Sequence, residues 1–148
     1  MDPPRPKLVR FDKCDKCEWT GVNILNSPNS HMKFSDSRDV WLHDFEIIVN
    51  PWGKLFGLIK LPWFGFNTDG IDAEVTNLVV ERMNITNHDD AVVIKSGNLG
   101  DSLNKCSQNI IVRDINVKWS TGMAIGSITP HYEYACVRNV TFENIKMH

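Results

Sequence analysis

The sequence lacks several features that define large classes of protein. No apolar run approaches the length of a membrane-spanning helix, and the first residues, MDPPRPKLVRF, have neither the apolar core nor the cleavage pattern of a signal peptide. The 16 basic residues are scattered and the formal net charge is -2, which argues against nucleic acid or a membrane surface as a partner. The composition, 42% hydrophobic and 23% charged over 148 residues, is that of one globular domain.

The sequence also lacks any amphipathic helical pattern long enough for a crossover, which argues against a barrel or a doubly wound fold. Instead, a nine-residue pattern occurs five times. Its second, fourth, seventh and ninth positions are apolar, and its fifth and sixth are not. Such spacing predicts two short strands that meet at a bend. The pattern starts at Lys16, Asp39, Asn77, Asn109 and Asn139.

A turn-rich piece and a third short candidate strand follow each of the first four windows. These strands are HMKF at 31–34, GIDA at 70–73, AVVIKS at 91–96 and MAIGS at 123–127. The window starts are 23, 38, 32 and 30 residues apart, as expected for a solenoid whose insertions lie in its turns. Leucine-rich and propeller repeats need other signatures, so the sequence predicts an all-β protein, a parallel β-helix.

The segment at 54–65, KLFGLIKLPWFG, is predicted to be an insertion in the second coil. It could be an apolar flap beside a cleft, a loop packed on the solenoid, or a translated non-coding segment. Both ends of the chain fall within the repeat pattern and carry no polar cap. We therefore expect the solenoid to be incomplete at both ends.

Two acidic clusters lie on the third strands. If these strands stack on their apolar residues, Asp69 and Asp90 occupy successive rungs of one face, with Asp89 beside them. Carboxylates this close repel, so the pKa of one should rise, which gives an acid and a base from one residue type. With room for a water molecule between them, such groups can carry out inverting glycoside hydrolysis.

Other interpretations of these residues remain open. Asp69-Gly70 and Asp89-Asp90 could each be a solvated turn. A cluster that includes His88 could bind calcium or another cation, although the ligand spacing matches no known loop. His31 and His43 are interpreted as surface residues.

The cysteines give one specific prediction. Cys106 and Cys136 each precede a window by three residues and therefore fall at the same place on consecutive coils, where the spacing suits a disulfide. Cys14 and Cys17 lack a second ligand pair for zinc, and Cys17 occupies a core position. We predict a Cys106–Cys136 disulfide and no metal site.

Three motifs, NTDGID at 67–72, NHDDAVVIKSG at 87–97 and TGMAIGS at 121–127, together resemble glycoside hydrolase family 28, which contains polygalacturonases and rhamnogalacturonases. RPKLVRF, NSP at 26–28 and NPW at 50–52 are similar to the family as well. The resemblance implies that residues 1–148 are the central part of a single right-handed parallel β-helix. It also implies metal-free, cofactor-free, inverting hydrolysis of pectic polysaccharide outside the cell, by a monomer.

The resemblance assigns roles to individual residues. Asp89 is the implied general acid, Asp69 and Asp90 are implied to hold the attacking water, and Asn67 is a candidate substrate-binding residue. Thr121 stands where the family has a histidine, and the family's Arg-x-Lys motif would lie beyond residue 148. Ala91 and Val117 stand where the family has a cysteine pair.

The predicted function is thus hydrolysis of polygalacturonan or rhamnogalacturonan by the complete protein, with no nucleic acid or membrane partner. Residues 1–148 alone are expected to be inactive, because the Arg-x-Lys part of the cleft is missing. The alternative is an inactive or truncated β-helix that only binds pectin-like polysaccharide. Extracellular location follows from the resemblance alone. Two acceptor sequons, at Asn84 and Asn139, make glycosylation a further prediction.

Overall fold

The computed structural model describes residues 5–50, 52–55, 59–62, 66–97, 105–128 and 134–148, with the backbone alone described at 52–55 and 59–62. Within these residues the regular elements are twelve strands. They are β1 (Val9–Asp12), β2 (Asp15–Thr20), β3 (Ile24–Leu25), β4 (Met32–His43), β5 (Glu46–Ile48), β6 (Trp52–Leu55), β7 (Ile59–Pro62), β8 (Ile71–Thr86), β9 (Asp90–Ile94), β10 (Ser107–Lys118), β11 (Gly122–Ile125) and β12 (Val137–Met147).

Ten of the strands form one sheet whose pairings are all parallel. Its main path runs β1-β4-β8-β10-β12, so that each coil pairs with the next one along the chain. The predicted columns are those observed. The second window positions stack as Cys17, Val40, Leu78, Ile110 and Val140, each paired with its neighbour. The parallel β-helix predicted from the repeat is confirmed.

The bends have a backbone cause that the apolar pattern does not show. The first and sixth residues of every window have positive φ, between 50° and 68°. Only glycine, and to a lesser extent asparagine and aspartate, adopt this left-handed conformation at low cost. Eight of the ten residues are of these types; the exceptions are Lys16 and Arg82. Each coil therefore turns at two left-handed corners placed five residues apart.

Side-chain amides connect the corners of successive coils. Asn77 Nδ2 donates to Asp39 Oδ1 at 2.7 Å, Asn109 Nδ2 to Asn77 Oδ1 at 3.0 Å, and Asn139 Nδ2 to Asn109 Oδ1 at 2.8 Å. A second ladder passes through Asn84, whose Nδ2 donates to Glu46 Oε1 at 2.7 Å. The acceptor nitrogens of both predicted sequons therefore take part in ladders, and glycosylation stays a prediction.

The core lies inside the coils and consists of the apolar window positions and third strands. Ile71 and Val92 pair as predicted, and Met123 pairs with Val92. Ala91 and Val117 are both fully buried. Val22, by contrast, is 57% exposed, so the seventh position of the first window does not contribute to the core.

The interpretation of two histidines as surface residues is wrong. His31 is fully buried and His43 is 8% exposed. The His43 ring stacks on Trp41, with ring centroids 3.9 Å apart, and bonds Glu18 through Nε2 and Asp44 through Nδ1. Two carboxylate partners thus offset the cost of placing a polar ring against the solenoid, and they raise its pKa.

The predicted insertion contains β7 and the second half of β6, and these two strands pair antiparallel with each other. Neither pairs with the main sheet, whereas the coils before and after are joined through β4, β5 and β8. This hairpin is consistent with an insertion at 54–65, which stays a prediction.

Both pairs of cysteines are joined. The structure contains the predicted Cys106–Cys136 disulfide, with Cα atoms 4.6 Å apart, between the starts of the last two coils. It also contains a Cys14–Cys17 disulfide that the sequence analysis did not predict. Cys17 packs against the core beside this bond, in agreement with its window position.

Candidate active site

The three predicted aspartates lie together on one edge of the third-strand face. Ile71 of β8 pairs with Val92 of β9, so Asp69 and Asp90, two residues earlier on each chain segment, are neighbours. One carboxylate oxygen from each of Asp69, Asp89 and Asp90 lies within 4.8 Å of the others. The fold thus brings together carboxylates that are up to 21 residues apart in sequence.

Gly70 permits this close approach. A Cβ atom at this position would lie 2.3 Å from the Ala91 carbonyl oxygen, which no side chain tolerates. The Gly70 amide instead donates to the Asp90 carbonyl at 2.9 Å. The glycine after Asp69 is therefore required by packing between two coils, in addition to its turn-forming tendency.

Asp89 is oriented by two backbone amides. The Asn67 amide donates to Asp89 Oδ2 at 2.7 Å, and the Asp90 amide donates to Asp89 Oδ1 at 2.9 Å. Asn67 has a φ of 60°, which turns its amide toward the carboxylate. Asn67, predicted to bind substrate, is exposed at the edge of the cluster and holds Asp89 through its backbone.

Thr121 contacts Asp90 directly. Its hydroxyl donates to Asp90 Oδ1 at 2.6 Å, while the Ser120 hydroxyl donates to the Asp89 carbonyl at 2.6 Å. Gly122, rather than Thr121, pairs with Asp90, and the register shifts by a bulge between Gly122 and Met123. The φ of 104° at Gly122 accommodates the irregularity.

Asn87 connects the two loops that carry the aspartates. Its side chain is fully buried, and Nδ2 donates to the Thr68 carbonyl at 3.0 Å and to the Asp90 carbonyl at 2.7 Å. A buried amide with two backbone partners fixes the distance between the segments that it bridges. Asn87 thus supports Asp69 from one side and Asp90 from the other.

His31 supports Asp69 from beneath. The Ser27 amide donates to His31 Nε2 at 3.3 Å, so Nδ1 carries the proton and donates to the Asp69 carbonyl at 3.1 Å. The His31 amide donates to the same carbonyl at 2.8 Å. Burial lowers the pKa of His31, so the ring is a neutral positioning group.

Asp69 is the carboxyl with the most perturbed acidity. Burial, followed by the negative charges of Asp72 and Asp89, raises the pKa of Asp69 to about 7. Repulsion between Asp69 and Asp90 predicts such a rise from the sequence, but in the structure burial and the charge of Asp72 contribute first. Near neutral pH the cluster therefore holds a proton.

The same three aspartates are the one group of metal-type ligands found close together among the residues with described side chains. Proximity of carboxylates is shared by acid/base pairs and cation sites. The absence of a metal requirement, implied by the family resemblance, stays a prediction.

The described residues thus form a parallel β-helix with three convergent carboxylates on one face. Comparison with known proteins identifies the family. The family model described as "Glycosyl hydrolases family 28" matches residues 2–148. The chain therefore belongs to glycosyl hydrolase family 28, as the motifs predicted.

Individual relatives agree with this assignment. The chain is 31% identical over 143 residues to "Endo-polygalacturonase" of Pectobacterium parmentieri, which covers 96% of this chain and 30% of that protein. It is 26% identical to "Probable rhamnogalacturonase B" of Aspergillus terreus, over 91% of this chain and 24% of that protein. The crystal structure of an exopolygalacturonase from Thermotoga maritima matches with a TM-score of 0.71 and 31% identity, over 95% of this chain and 29% of that one.

These matches show a right-handed parallel β-helix. The chain spans less than a third of the length of each of these relatives. In the described part of the chain, no helix has the length and apolar character needed to cross a membrane.

Sequence reasoning missed several supporting residues. Asn87 is the first residue of one predicted motif and Ser120 directly precedes another, so their positions were a usable signal. His31 and Asp72 act across coils, and their roles depend on burial that the sequence pattern did not reveal.

Proposed function

We propose that this chain carries the acid/base groups of a hydrolase that cleaves glycosidic bonds in polygalacturonan or rhamnogalacturonan. The observation that carries the proposal is the cluster of Asp69, Asp89 and Asp90, with one oxygen of each within 4.8 Å and one proton held near neutral pH. Membership of glycosyl hydrolase family 28 supports the choice of reaction. The names of the relatives support pectic substrates.

In the proposed reaction, Asp89 donates a proton to the glycosidic oxygen as its bond to the anomeric carbon breaks. Water attacks that carbon, and Asp69 with Asp90 accepts the proton that the water loses. Asp69 holds the proton before substrate binds, because its pKa is raised to about 7. Transfer of that proton from Asp69 to Asp89 makes Asp89 the neutral acid and leaves Asp69 as the ionised base.

The stereochemical outcome is a separate part of the proposal. Inverting glycosidases typically separate their carboxyl groups by about 6.5–9.5 Å, and retaining enzymes by about 5–5.5 Å. The nearest oxygens here lie within 4.8 Å, a spacing that by itself fits retention. Inversion is proposed from the family resemblance, with water held by Asp69 and Asp90 as a pair.

The test is turnover of polygalacturonate and of rhamnogalacturonan by the full-length protein, measured as the release of new reducing ends. Asp90→Asn should lower kcat by about 100- to 10,000-fold, the usual contribution of a positioned acid or base. Asp12→Asn, which removes an exposed carboxylate far from the cluster, is the matched control. Binding of either polymer without turnover would refute the proposed hydrolase activity.

Proton NMR of the first product formed distinguishes the two stereochemical outcomes. Inversion predicts that the new reducing end has the anomeric configuration opposite to that of the bond cleaved. Retention in the initial product would refute the assigned roles of Asp69 and Asp90 while leaving hydrolysis intact.

One observation favours the second candidate, a β-helix that binds pectic polysaccharide without cleaving it. Thr121 occupies the position where the resembling family has a histidine, and its hydroxyl contacts Asp90 at 2.6 Å. Thr121→His in the full-length protein should then create turnover where the wild type has none. If the wild type is already active, this candidate is excluded.

We also propose that the protein acts outside the cell, since the proposed substrates are cell-wall polymers. We further propose that the complete protein is a monomer. Fractionation of the source cells, with detection of the protein in the medium or wall fraction, tests the location. Sedimentation of the purified protein tests its oligomeric state.

A further inference from the structure

An open groove of about 460 Å³ lies beside Asp69 and is lined by residues of its own coil, of the preceding coils and of the next one. Its lining includes three lysines, Lys7, Lys33 and Lys95, although the chain as a whole has a net charge of -2. These lysines come from three separate segments that only the stacking of coils brings together. The groove is therefore a local concentration of positive charge beside the carboxylate cluster.

Lys95 has a partner inside the groove. Its Nζ lies 3.5 Å from Asp72 Oδ1, and the Asp72 side chain is only 8% exposed. A carboxylate this buried needs a neighbouring cation. Lys95 is therefore explained by the charge of Asp72 and is available to a ligand only in part.

Lys7 and Lys33 are not explained in this way. Lys33 pairs in register with Asp72 on the neighbouring strand and is half-buried, whereas Lys7 donates to Asn29 Oδ1 at 3.2 Å. Among the residues with described side chains, neither lysine forms an ion pair. When Asp69 holds its proton, the three lysines and Asp72 leave two positive charges in excess.

We propose that Lys7 and Lys33 bind a carboxylate of an acidic sugar residue, on the side of the cleaved bond that lies toward the N-terminal coils. This inference rests on the proposed function, because the ligand is taken to be the same polyuronate chain. Asp72 is paired with Lys95, so a ligand carboxylate in the groove meets the charges of Lys7 and Lys33. Ammonium groups recognise a carboxylate through charge-assisted hydrogen bonds.

Binding of trigalacturonate to the full-length protein tests the inference. All variants are made in an Asp90→Asn background, so that slow turnover does not obscure affinity. Lys33→Gln and Lys7→Gln should each raise Kd by about fivefold, the upper range for a partly exposed ion pair. Lys33→Arg should restore most of the affinity, because it keeps the charge.

Two controls make the result specific to the groove. Lys146→Gln removes an exposed lysine at the other end of the chain and should leave Kd unchanged. The methyl ester of the same trisaccharide lacks the carboxylates, so the lysine substitutions should weaken its binding much less. An equal loss for acid and ester would indicate a merely structural role and overturn the proposal.

The outcome is separable from that of the proposed function. If the wild type cleaves polygalacturonate but the lysine variants bind trigalacturonate normally, the groove proposal alone fails. If binding depends on the lysines but the wild type shows no turnover, the groove proposal stands and the proposal of hydrolase activity is refuted. Absence of trigalacturonate binding overturns the groove proposal directly.

Discussion

Replacing Asp69 with asparagine should stabilise the folded chain at alkaline pH and leave its stability nearly unchanged in acid. The folded environment raises the pKa of Asp69 from 3.8 to about 7. The folded state therefore holds a proton that the unfolded state releases between these two values. Since folding opposes ionisation of this carboxyl, the free energy of unfolding falls as pH rises through this window, and the full cost applies above pH 7.

The magnitude follows from the size of the shift. Each pKa unit corresponds to about 1.4 kcal/mol, so a rise of about three units gives an upper value of about 4 kcal/mol. Asp69 is half-buried, and solvent reduces the cost of its charge, so we expect about 2 kcal/mol above pH 7. The cost becomes small near pH 4 and disappears well below the unfolded-state pKa of 3.8, where the carboxyl is protonated in both states.

The measurement is guanidinium unfolding of the wild type and of Asp69→Asn at about pH 4, 6 and 8. The amide should give no advantage at pH 4, an intermediate one at pH 6 and about 2 kcal/mol at pH 8. Asp12→Asn is the matched control, since its side chain is 53% exposed and its ion pair with Arg10 is worth less than about 1 kcal/mol. NMR titration of the Asp69 carboxyl carbon should give a midpoint near 7.

A stability difference that is the same at all three pH values would show that asparagine acts through packing, and the argument from ionisation would be refuted. The same holds if Asp69→Asn is less stable at pH 8. The predicted result would mean that the site around Asp69 lowers the free energy of unfolding whenever this carboxyl is ionised. Such a loss is common where function opposes stability.

Three other substitutions test the supporting structure. Asn87→Ala should lower the free energy of unfolding by about 2–4 kcal/mol, because it removes two hydrogen bonds of a fully buried amide; thermal melting of wild type and variant would show it, and a neutral result would contradict the bridging role. The double variant Cys106→Ser/Cys136→Ser should lose about 3–4 kcal/mol, since the bond closes a loop of 30 residues; reduction of the wild type should give a similar loss in urea unfolding. Glu81→Ala should cost about 3 kcal/mol, because this 5% exposed carboxylate contacts both Arg82 and Arg113 at 2.5–2.6 Å; with Asp12→Ala as control, equal losses would contradict it.

The architecture was predictable because a parallel solenoid repeats one register. An apolar residue in one window necessarily stacks on the equivalent residue of the next, so the columns through Leu78 and Val80 follow from the period alone. The same reasoning placed Asp69 beside Asp90. The left-handed corners had a signal as well, since asparagine, aspartate or glycine occupies most of these positions.

The other features depend on interactions that no periodic pattern contains. The bulge at Gly122 shifts Thr121 by one place, and a single irregularity leaves no trace in the apolar spacing. His31 is polar in type but buried, because backbone groups of Ser27 and Asp69 satisfy both ring nitrogens. The lysine groove joins Lys7 and Lys33 with Lys95, which lies more than 60 residues further along the chain.

Thr121 does more than replace the histidine of the family, because it forms its own hydrogen bond with Asp90. Its hydroxyl reaches Asp90 at 2.6 Å because the bulge moves the backbone, while Ser120 bonds the carbonyl of Asp89. A hydroxyl donates the same hydrogen bond at every pH used by an enzyme, whereas an imidazole gains or loses a charge near pH 6.5. The contact with Asp90 is therefore kept without a group that titrates beside it. Among the three clustered carboxyls, Asp69 is the one whose pKa burial and neighbouring charges raise.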